Sequence, residues 1–344
     1  MNKKNLLTLI GSLVSLITLA QDPQFSQFYA APLYMNPAFA GSSMAPRLIA
    51  NYRNQWPSLD ANFVTSAVSA DLYFDKVNSG LGLLVVNDTQ GFSKLKRTQV
   101  NLQYSYGFRL SEGTTIKLGV QGGQHFSNVD DYGLIYGYQQ SGSAFLPVTT
   151  DPISGNIQRS INYLNFGGGV LLYNDKSWFG FSGHNVNRPN VSMINADSRL
   201  PVKYSAHGGV NIPIRTAMFN GRAAGAGKEL IATPAFNFKK QGKFSQLDAG
   251  LYLTYSPVTI GAWYRGIPIK QLNSGAKNND AVIALIGFRQ DAFSIGYSYD
   301  ITVSNLGFST GGAHELSISY QFDAFEPEPK RSRRRNKELS CPKF

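Results

Sequence analysis

The sequence has 344 residues, of which 15% are charged, 12% are aromatic and 34 are glycine; a water-soluble domain usually carries about 25% charged residues. Beyond the N-terminal region no run of about 18 consecutive apolar residues occurs, which excludes a membrane-spanning helix there. A β-rich membrane protein is therefore favoured, with a Gly-rich secreted β-sandwich as the alternative. Residues 330–344 contribute +6 to the formal net charge of +11, so the basic character belongs to a tail and predicts no nucleic-acid partner.

Residues 1–20 have the pattern of a secretory signal peptide. Two lysines precede an apolar run over residues 6–19, and Ala20 ends a small-x-small cleavage pattern. We therefore expect export, with Gln21 as the first mature residue. The single cysteine, Cys341, lies far from this run, so neither a lipoprotein anchor nor an internal disulfide is expected.

Residues 21–46 precede the first predicted strand and combine five aromatic side chains with four prolines. The prolines argue against a regular helix or strand. Because such an aromatic segment is unfavourable in water, we predict that it folds into the periplasmic mouth of a barrel as a plug or brace. The alternative is a flexible leader that docks on a partner.

Apolar and polar residues alternate most strictly over residues 100–110, and again over residues 293–299 and 316–322. Alternation at every second residue indicates strands with one apolar and one polar face. The polar faces consist mostly of Ser, Gly, Asn and Gln, which favours a filled barrel over an open bore. The sheet must close on itself, because lipid offers no partners for the backbone of an open edge.

Similar segments recur along residues 47–322, and together they predict an all-β fold, a transmembrane outer-membrane β-barrel of about 14 antiparallel strands. The predicted strands span residues 47–55, 62–74, 80–87, 95–110, 114–126, 160–173, 177–184, 203–212, 229–238, 245–255, 258–265, 281–289, 292–300 and 313–322.

The lengths of the connectors indicate how the barrel is oriented. If the N-terminus is periplasmic, the connectors after odd-numbered strands lie outside and are expected to be long. Four of them are long, over residues 127–159, 185–202, 266–280 and 301–312. Two connectors break the pattern, the long one over residues 213–228 and the short one over residues 239–243.

No residue pattern predicts a catalytic, metal or cofactor site, and we expect no enzymatic activity. The four histidines lack the short paired spacing of metal ligands; they are His125, His184, His207 and His314. His314 and Ser317 are an odd number of residues apart, so a strand directs them to opposite faces and not to one Ser/His site. Gly167-Gly168-Gly169 lacks the lysine and helix of a phosphate loop, and we expect it to permit curvature or a close backbone approach.

Motifs near the two ends of the predicted barrel resemble those of one known family. The opening motif reads Gln21-Asp22-Pro23-Gln24-Phe25-Ser26-Gln27-Phe28-Tyr29 and then Tyr34-Met35-Asn36-Pro37-Ala38-Phe39-Ala40-Gly41, and near the end Tyr299-Asp300 precedes His314-Glu315. Asn54-Gln55-Trp56-Pro57 and Gly80-Leu81-Gly82 fall between them. These residues resemble the PorP/SprF family of the type IX secretion system of Bacteroidetes over about residues 21–322. The motif residues carried over are Asp22, Pro23, Phe25, Ser26, Gln27, Tyr29, Asn36, Pro37, Ala38, Ala40, Gly41, Tyr299, Asp300, His314 and Glu315.

The resemblance implies a non-enzymatic outer-membrane component of type IX secretion and of gliding adhesin display. It implies a large secreted adhesin with a type B C-terminal domain as a partner, and a periplasmic ring lipoprotein and motor proteins as further partners. Membrane lipid would surround the barrel, and no cofactor is implied. The residues themselves leave a porin-like channel for small solutes as the alternative function.

Two regions are candidates for binding a protein partner. The predicted outward loops contain residue types that are enriched at binding hot spots, namely Tyr132, Tyr136, Tyr138, Phe145 and Arg188. Residues 323–344 are rich in proline and charge and are expected to form a disordered basic tail. Its basic run is a candidate for docking on an acidic periplasmic partner, with a merely solvated tail as the alternative; it comprises Lys330, Arg331, Arg333, Arg334 and Arg335.

Overall fold

A computed structural model of the chain describes residues 22–91, 94–111, 113–129, 140–141, 144–145, 157–194, 196–214, 230–271, 277–304 and 307–323. The predicted signal peptide and nearly all of the predicted basic tail lie outside the described residues. In the described part of the chain, none of the helices has the length and apolar character needed to cross a membrane.

Fourteen antiparallel strands form one closed barrel, as the sequence predicts. They are β1 (Arg47–Gln55), β2 (Phe63–Phe74), β3 (Ser79–Gln90), β4 (Leu95–Arg109), β5 (Thr115–Asn128), β6 (Ser160–Tyr173), β7 (Ser177–His184), β8 (Lys203–Val210), β9 (Leu230–Gln241), β10 (Phe244–Tyr255), β11 (Val258–Gln271), β12 (Lys277–Gln290), β13 (Phe293–Thr302) and β14 (Ala313–Gln321). Each strand pairs with its neighbours in sequence, and β1 pairs with β14 to complete the ring.

A few short elements accompany the barrel. After Asn211, the chain of β8 continues along β9 as Ile212–Ile214. The small strands Gln140–Ser141 and Ala144–Phe145 pair with each other. The described helices have three or four residues each: Phe28–Ala30, Pro32–Met35, Pro37–Phe39, Asp75–Val77 and Phe308–Thr310.

The predicted long connector over residues 266–280 is wrong. The strands β11 and β12 continue to Gln271 and from Lys277, which leaves only residues 272–276 between them. Gly266 adopts a φ of 146°, and the register between the two strands shifts on its N-terminal side. A second register shift lies between Ile267 and Gln271, and the two irregularities let the strand continue through Gly- and Pro-containing sequence, where sequence patterns indicate a loop.

The side chains of the strands alternate between the two sides of the barrel wall. On β4, Asn101 and Gln103 are each 2% exposed, whereas Leu102 between them is 67% exposed. Large apolar side chains thus cover the outside and polar side chains line the interior, which is the reverse of a soluble protein. This arrangement is the one that lipid on the outer face requires.

The two ends of the barrel differ. We call the end at which β1 finishes the loop end, and the end at which β1 begins the turn end. Toward the loop end the outer face becomes polar: Asn87 donates a hydrogen bond to Thr98 at 3.1 Å, and Gln124 donates one to Asn162 at 3.3 Å, all on the exposed face. The apolar belt therefore stops short of the loop end.

Candidate functional site

Residues 22–46, here called the N-terminal segment, run inside the barrel from the loop end to the turn end. Asp22 forms an ion pair of 3.3 Å with Lys203, the first residue of β8 at the loop end. The backbone N–H of Gly41 donates to Asp71 near the turn end of β2 at 2.8 Å. The segment thus extends beyond the mouth at which β1 begins, where the sequence placed it, and reaches the opposite end.

Prolines and one asparagine shape the segment into short turns. Pro32 and Pro37 each occupy the first position of a short helix, where a missing N–H has no cost. The side chain of Asn36 caps the second of these helices by accepting a 2.9 Å hydrogen bond from the backbone N–H of Ala38. The sequence argues against a regular helix or strand here, and the structure has one short α-helix, Pro32–Met35, between two 3-10 turns.

Aromatic side chains of the segment pack against aromatic side chains of the wall. The ring of Phe28 lies edge-on to Trp263 with 4.8 Å between centroids, and Tyr29 lies edge-on to Trp178 at 5.3 Å. All of these side chains are buried. Edge-to-face geometry is favourable for aromatic pairs, so the apolar core of this protein lies between the segment and the barrel wall.

The opening and closing motifs, 289 residues apart in sequence, meet inside the barrel. The carboxylate of Glu315 accepts hydrogen bonds from the backbone N–H groups of Ser26 at 2.6 Å and of Gln27 at 2.9 Å. The side-chain amide of Gln27 donates to the carbonyl of Glu315 at 2.9 Å and accepts from Ser317 at 2.6 Å. Both motifs therefore belong to one site.

The hydroxyl of Ser26 lies at the centre of this site. It accepts hydrogen bonds from the guanidinium groups of Arg53 at 2.6 Å and Arg265 at 2.7 Å, and it donates to Asp300 at 2.6 Å. One donor and two acceptor positions are all that a hydroxyl has. The serine is thus fully satisfied, and a hydrophobic residue in its place would remove one hydrogen-bond partner from each of Arg53, Arg265 and Asp300.

Ion pairs extend the site along the wall. Arg53 and Arg265 each lie 2.8 Å from Asp300, and Arg265 also lies 2.7 Å from Asp248. Arg53 is 3.2 Å from Glu315. Buried charges are tolerated only when paired in this way. We call Ser26, Arg53, Asp248, Arg265, Asp300 and Glu315 the Ser26 network.

Sequence reasoning missed three members of the Ser26 network, Arg53, Arg265 and Asp248. It treated the inward faces as mainly small and uncharged. The position of Arg53 in its strand could have indicated that it points inward. It follows Asn51 by two residues, and both occupy the polar face of β1. A charged residue in register with the inward polar face of a strand is therefore the pattern to look for.

The second half of the opening motif is bound by strands on the side of the barrel opposite the Ser26 network. The side-chain amide of Asn36 donates to the carbonyls of Val170 at 3.1 Å and Phe181 at 3.2 Å. The carbonyl of Ala40 accepts from Ser105 at 2.7 Å and from the buried ammonium group of Lys117 at 2.6 Å. The segment is consequently held by strands from around the whole barrel.

Glycines in the wall make room for the segment. A Cβ on Gly119 would lie 2.5 Å from the Cα of Ala38, and one on Gly169 would lie 2.8 Å from the Cγ of Asn36. Nonbonded carbon atoms do not approach so closely, so a Cβ at Gly119 would displace the backbone of the segment, and one at Gly169 would displace the side chain of Asn36. Within Gly167-Gly168-Gly169, where a close backbone approach is predicted, the group that crowds Gly169 is the side chain of Asn36.

Both ends of the segment are tied by charged groups. At the turn end, Asp71 binds the backbone of Gly41 and forms a 2.9 Å ion pair with Arg47. At the loop end, burial alone would raise the pKa of Asp22, but the positive charges of Lys203 and Arg97 outweigh it, so the pKa of Asp22 lies below its usual value. Asp22 therefore carries its charge at neutral pH.

A small polar cavity of about 20 Å³ lies next to the start of the segment. Its lining includes Asp22, Tyr34, His125 and Asn165. A space of this size holds about one water molecule, and the unpaired Oδ1 of the buried Asn165 offers it an acceptor. The cavity is too small for a solute larger than water.

The histidines form no common site. His125, His184 and His207 are buried in the interior and lie 3.1 Å from Asn101, 3.3 Å from the carbonyl of Met35 and 3.3 Å from Asn36, respectively. His314 is exposed on the outer face, whereas Ser317 is buried, so the predicted opposite orientation is confirmed. Among the described residues, no group of three or more His, Cys, Asp and Glu side chains is arranged to hold a metal ion.

Most candidate partner-binding residues fall outside the described part of the chain. These are Tyr132, Tyr136, Tyr138, the side chain of Phe145, and the basic run Lys330, Arg331, Arg333, Arg334 and Arg335. Arg188 is described: it is exposed at the loop end, with a φ of 46° and its backbone N–H bonded to the carbonyl of Asn185. It is thus accessible, but the structure does not bring it together with the Ser26 network.

A closed barrel with an apolar outer face and a polar interior defines a β-barrel membrane protein. The chain belongs to the family of the type IX secretion system membrane protein PorP/SprF, whose model matches residues 17–320. The family resemblance of the opening and closing motifs is thereby confirmed.

No curated protein matches the sequence. Several solved barrel structures are similar to it. A TodX deltaS2S3 mutant, a monoaromatic hydrocarbon channel, is 13% identical and has a TM-score of 0.40, with 84% of this chain and 92% of that chain covered. A FadL homologue of Pseudomonas aeruginosa is also 13% identical, with a TM-score of 0.41 and coverages of 84% and 93%. A mutant of the Rh. blastica porin is 9% identical, with a TM-score of 0.33 and coverages of 81% and 99%.

Proposed function

We propose that this protein is a non-enzymatic outer-membrane component of type IX secretion that binds a large secreted adhesin with a type B C-terminal domain at the cell surface. The observation that carries the proposal is the N-terminal segment: it occupies the interior and is tied to the wall at both ends. A barrel filled by its own chain is suited to hold a partner on its loops. A link to the periplasmic motor ring, through the basic tail, is the second role that we propose.

We further propose that the N-terminal segment is a plug that blocks solute flow. A conducting pore needs a continuous open bore, whereas here the segment contacts strands around the whole ring. We expect the purified protein in planar lipid bilayers to show no steady conductance, in contrast to a general porin recorded under the same conditions. Robust, long-lived channel openings would contradict the plug and favour the porin-like alternative.

The loop end faces the cell exterior in this proposal, because its outer wall is polar beyond the apolar belt. Two exposed valines at opposite ends provide a matched test: Val186 is 51% exposed at the loop end and Val77 is 57% exposed at the turn end. In a Cys341→Ser background, a membrane-impermeant maleimide is expected to label Val186→Cys on intact cells. Val77→Cys is expected to react only after the outer membrane is permeabilised. Labelling of Val77→Cys alone on intact cells would reverse the orientation.

The partner is tested by affinity purification from the native envelope. Hot-spot side chains each contribute more than about 1 kcal/mol to binding, and about 1.4 kcal/mol is a tenfold change in affinity. We expect the triple variant Tyr132→Ala, Tyr136→Ala and Tyr138→Ala to lower recovery of the adhesin about tenfold or more, with recovery of ring lipoprotein unchanged.

Deletion of residues 330–344 is the complementary variant, and we expect it to lower recovery of ring lipoprotein alone. Each variant thus serves as the control for the other. If both partners are recovered equally from the two variants and from wild type, neither the loops nor the tail carries the interaction.

A further inference from the structure

The pairing of β1 with β14 is the seam of the barrel, because it joins the first and the last strand. It extends from Arg47 opposite Gln321 to Gln55 opposite Ala313. The other pairings join strands that are consecutive in sequence. Closing a ring of this length has the largest loop entropy cost, and until it closes both strands present unpaired edges. The seam is therefore the pairing whose formation costs the most chain entropy.

The Ser26 network crosses this seam near the loop end. Arg53 belongs to β1, whereas Asp300 and Glu315 belong to β13 and β14, and ion pairs of 2.8 Å and 3.2 Å join the two sides. The hydroxyl of Ser26 contacts Arg53 on one side and Asp300 on the other. One residue of the N-terminal segment thus bridges both edges of the seam.

The segment also spans the seam at the turn end. Gln321, the last residue of β14, donates from its side chain to the carbonyl of Ser43 at 3.4 Å. The backbone N–H of Phe322 donates to the carbonyl of Pro46, immediately before β1, at 2.8 Å. The N-terminal segment therefore forms hydrogen bonds across the seam at both of its ends.

Separating β1 from β14 would break these contacts. Arg53 would be separated from both carboxylates, and Ser26 would lose either Arg53 or its partners Asp300 and Glu315, depending on which side of the seam it stayed with. A buried charge that loses its partner destabilises a protein far more than an unpaired neutral group does. The network thus opposes seam opening specifically.

We propose that Arg53, Asp300 and Glu315 form a binding site for the chain's own Ser26-Gln27 step, and that its occupation locks the β1–β14 seam. Enclosing the N-terminal segment and closing the barrel are then one cooperative event. The serine is required because only a hydroxyl accepts from two guanidinium groups while donating to a carboxylate. The glutamine is required because its amide both donates to the Glu315 carbonyl and accepts from Ser317.

The lock is tested with Glu315→Gln, which keeps the size of the side chain and removes its charge. Two disulfides in a Cys341→Ser background separate seam opening from general destabilisation. Ala50→Cys with Ile318→Cys crosses the seam, and Leu83→Cys with Leu102→Cys crosses β3 and β4. All four positions are directly paired and exposed on the outer face, so the spacing suits a disulfide. The readout is the temperature at which the compact, heat-modifiable form is lost on a cold detergent gel.

Each disulfide is measured with and without Glu315→Gln. The two disulfides close loops of different length, so they stabilise the barrel by different amounts even without any effect of the lock. Only the change that Glu315→Gln causes in each gain is therefore compared. We expect the seam disulfide to raise the transition temperature more in the Glu315→Gln background than in the background with Glu315 intact, by at least about 5 °C. About 1 kcal/mol shifts a midpoint by about 2–4 °C in a chain of about 150–250 residues. The β3–β4 disulfide is expected to give the same gain in both backgrounds. Equal gains from the seam disulfide in both backgrounds would overturn the lock. Should Glu315→Gln yield too little folded protein, Ser26→Ala takes its place with the same expected and contrary outcomes.

Discussion

Replacing Arg265 by methionine is expected to lower the free energy of unfolding by about 3–5 kcal/mol, the cost of removing one partner from a buried ion pair. The guanidinium group of Arg265 is 1% exposed and lies 2.7 Å from Asp248 and 2.8 Å from Asp300. Methionine keeps much of the volume but leaves Asp248 with the more distant cation Lys239, at 3.4 Å, and with the neutral amide of Gln246, at 3.1 Å. Denaturant unfolding in lipid or detergent, followed by the fluorescence of the neighbouring buried Trp263, measures the change.

Two control variants test whether the loss of stability in Arg265→Met comes from the broken ion pairs. The double variant Arg265→Met with Asp248→Asn is expected to recover part of the loss, because the carboxylate that lost its partner is neutralised as well. Arg188→Met, on the exposed loop-end surface, is expected to change the free energy of unfolding by less than about 0.5 kcal/mol. If Arg265→Met and Arg188→Met behave alike, the Ser26 network does not stabilise the fold.

Replacing Gly119 by alanine is expected to destabilise the barrel by about 3 kcal/mol, at the upper end of the usual range for an overpacked core. The added Cβ would lie 2.5 Å from the backbone carbonyl carbon of Pro37 and from the Cα of Ala38. Backbone atoms of the N-terminal segment cannot yield as a flexible side chain can, because the wall binds the segment on both sides of this point. Thermal unfolding followed by circular dichroism, together with protease sensitivity of the segment, measures the effect.

Gly168→Ala is the matched control for Gly119→Ala. Gly168 lies on the neighbouring strand β6, and the nearest atom to its added Cβ is the carbonyl oxygen of Gly119 at 3.4 Å, an ordinary contact. We expect its transition temperature to stay near that of wild type, and we expect no new cleavage within residues 22–46. Equal destabilisation by both substitutions would show that strand propensity, and not contact with the segment, causes the effect.

The positions of several strands were predictable from the sequence. The predicted bounds of β1, β6 and β7 agree with the structure at both ends. The prediction failed between β11 and β12, because Gly266 and the residues after it have the composition of a loop yet lie in a bulged ladder. Amino-acid composition indicates whether a segment favours a loop or a strand by itself. Whether a segment pairs across a bulge depends also on the partner strand, which composition does not show.

The candidate site was predictable only in part. The family motifs contain Ser26, Gln27, Asp300 and Glu315, all of which the structure brings together. Their charged partners Arg53 and Arg265 lie outside those motifs, on the polar faces of their strands. Nothing along the chain relates these residues to one another, since their proximity depends on strand order, register and closure of the ring.

The sequence by itself determined that this protein is a membrane-type barrel, because alternation of side chains between two faces is a local property that each strand carries alone. The path of the N-terminal segment was decided only by the tertiary structure. Its backbone N–H and C=O groups find partners on strands that are distant in sequence, from Gln27 with Glu315 to Gly41 with Asp71. Those partners exist only once the ring has closed, so no local pattern could indicate that the segment extends from one end of the barrel to the other.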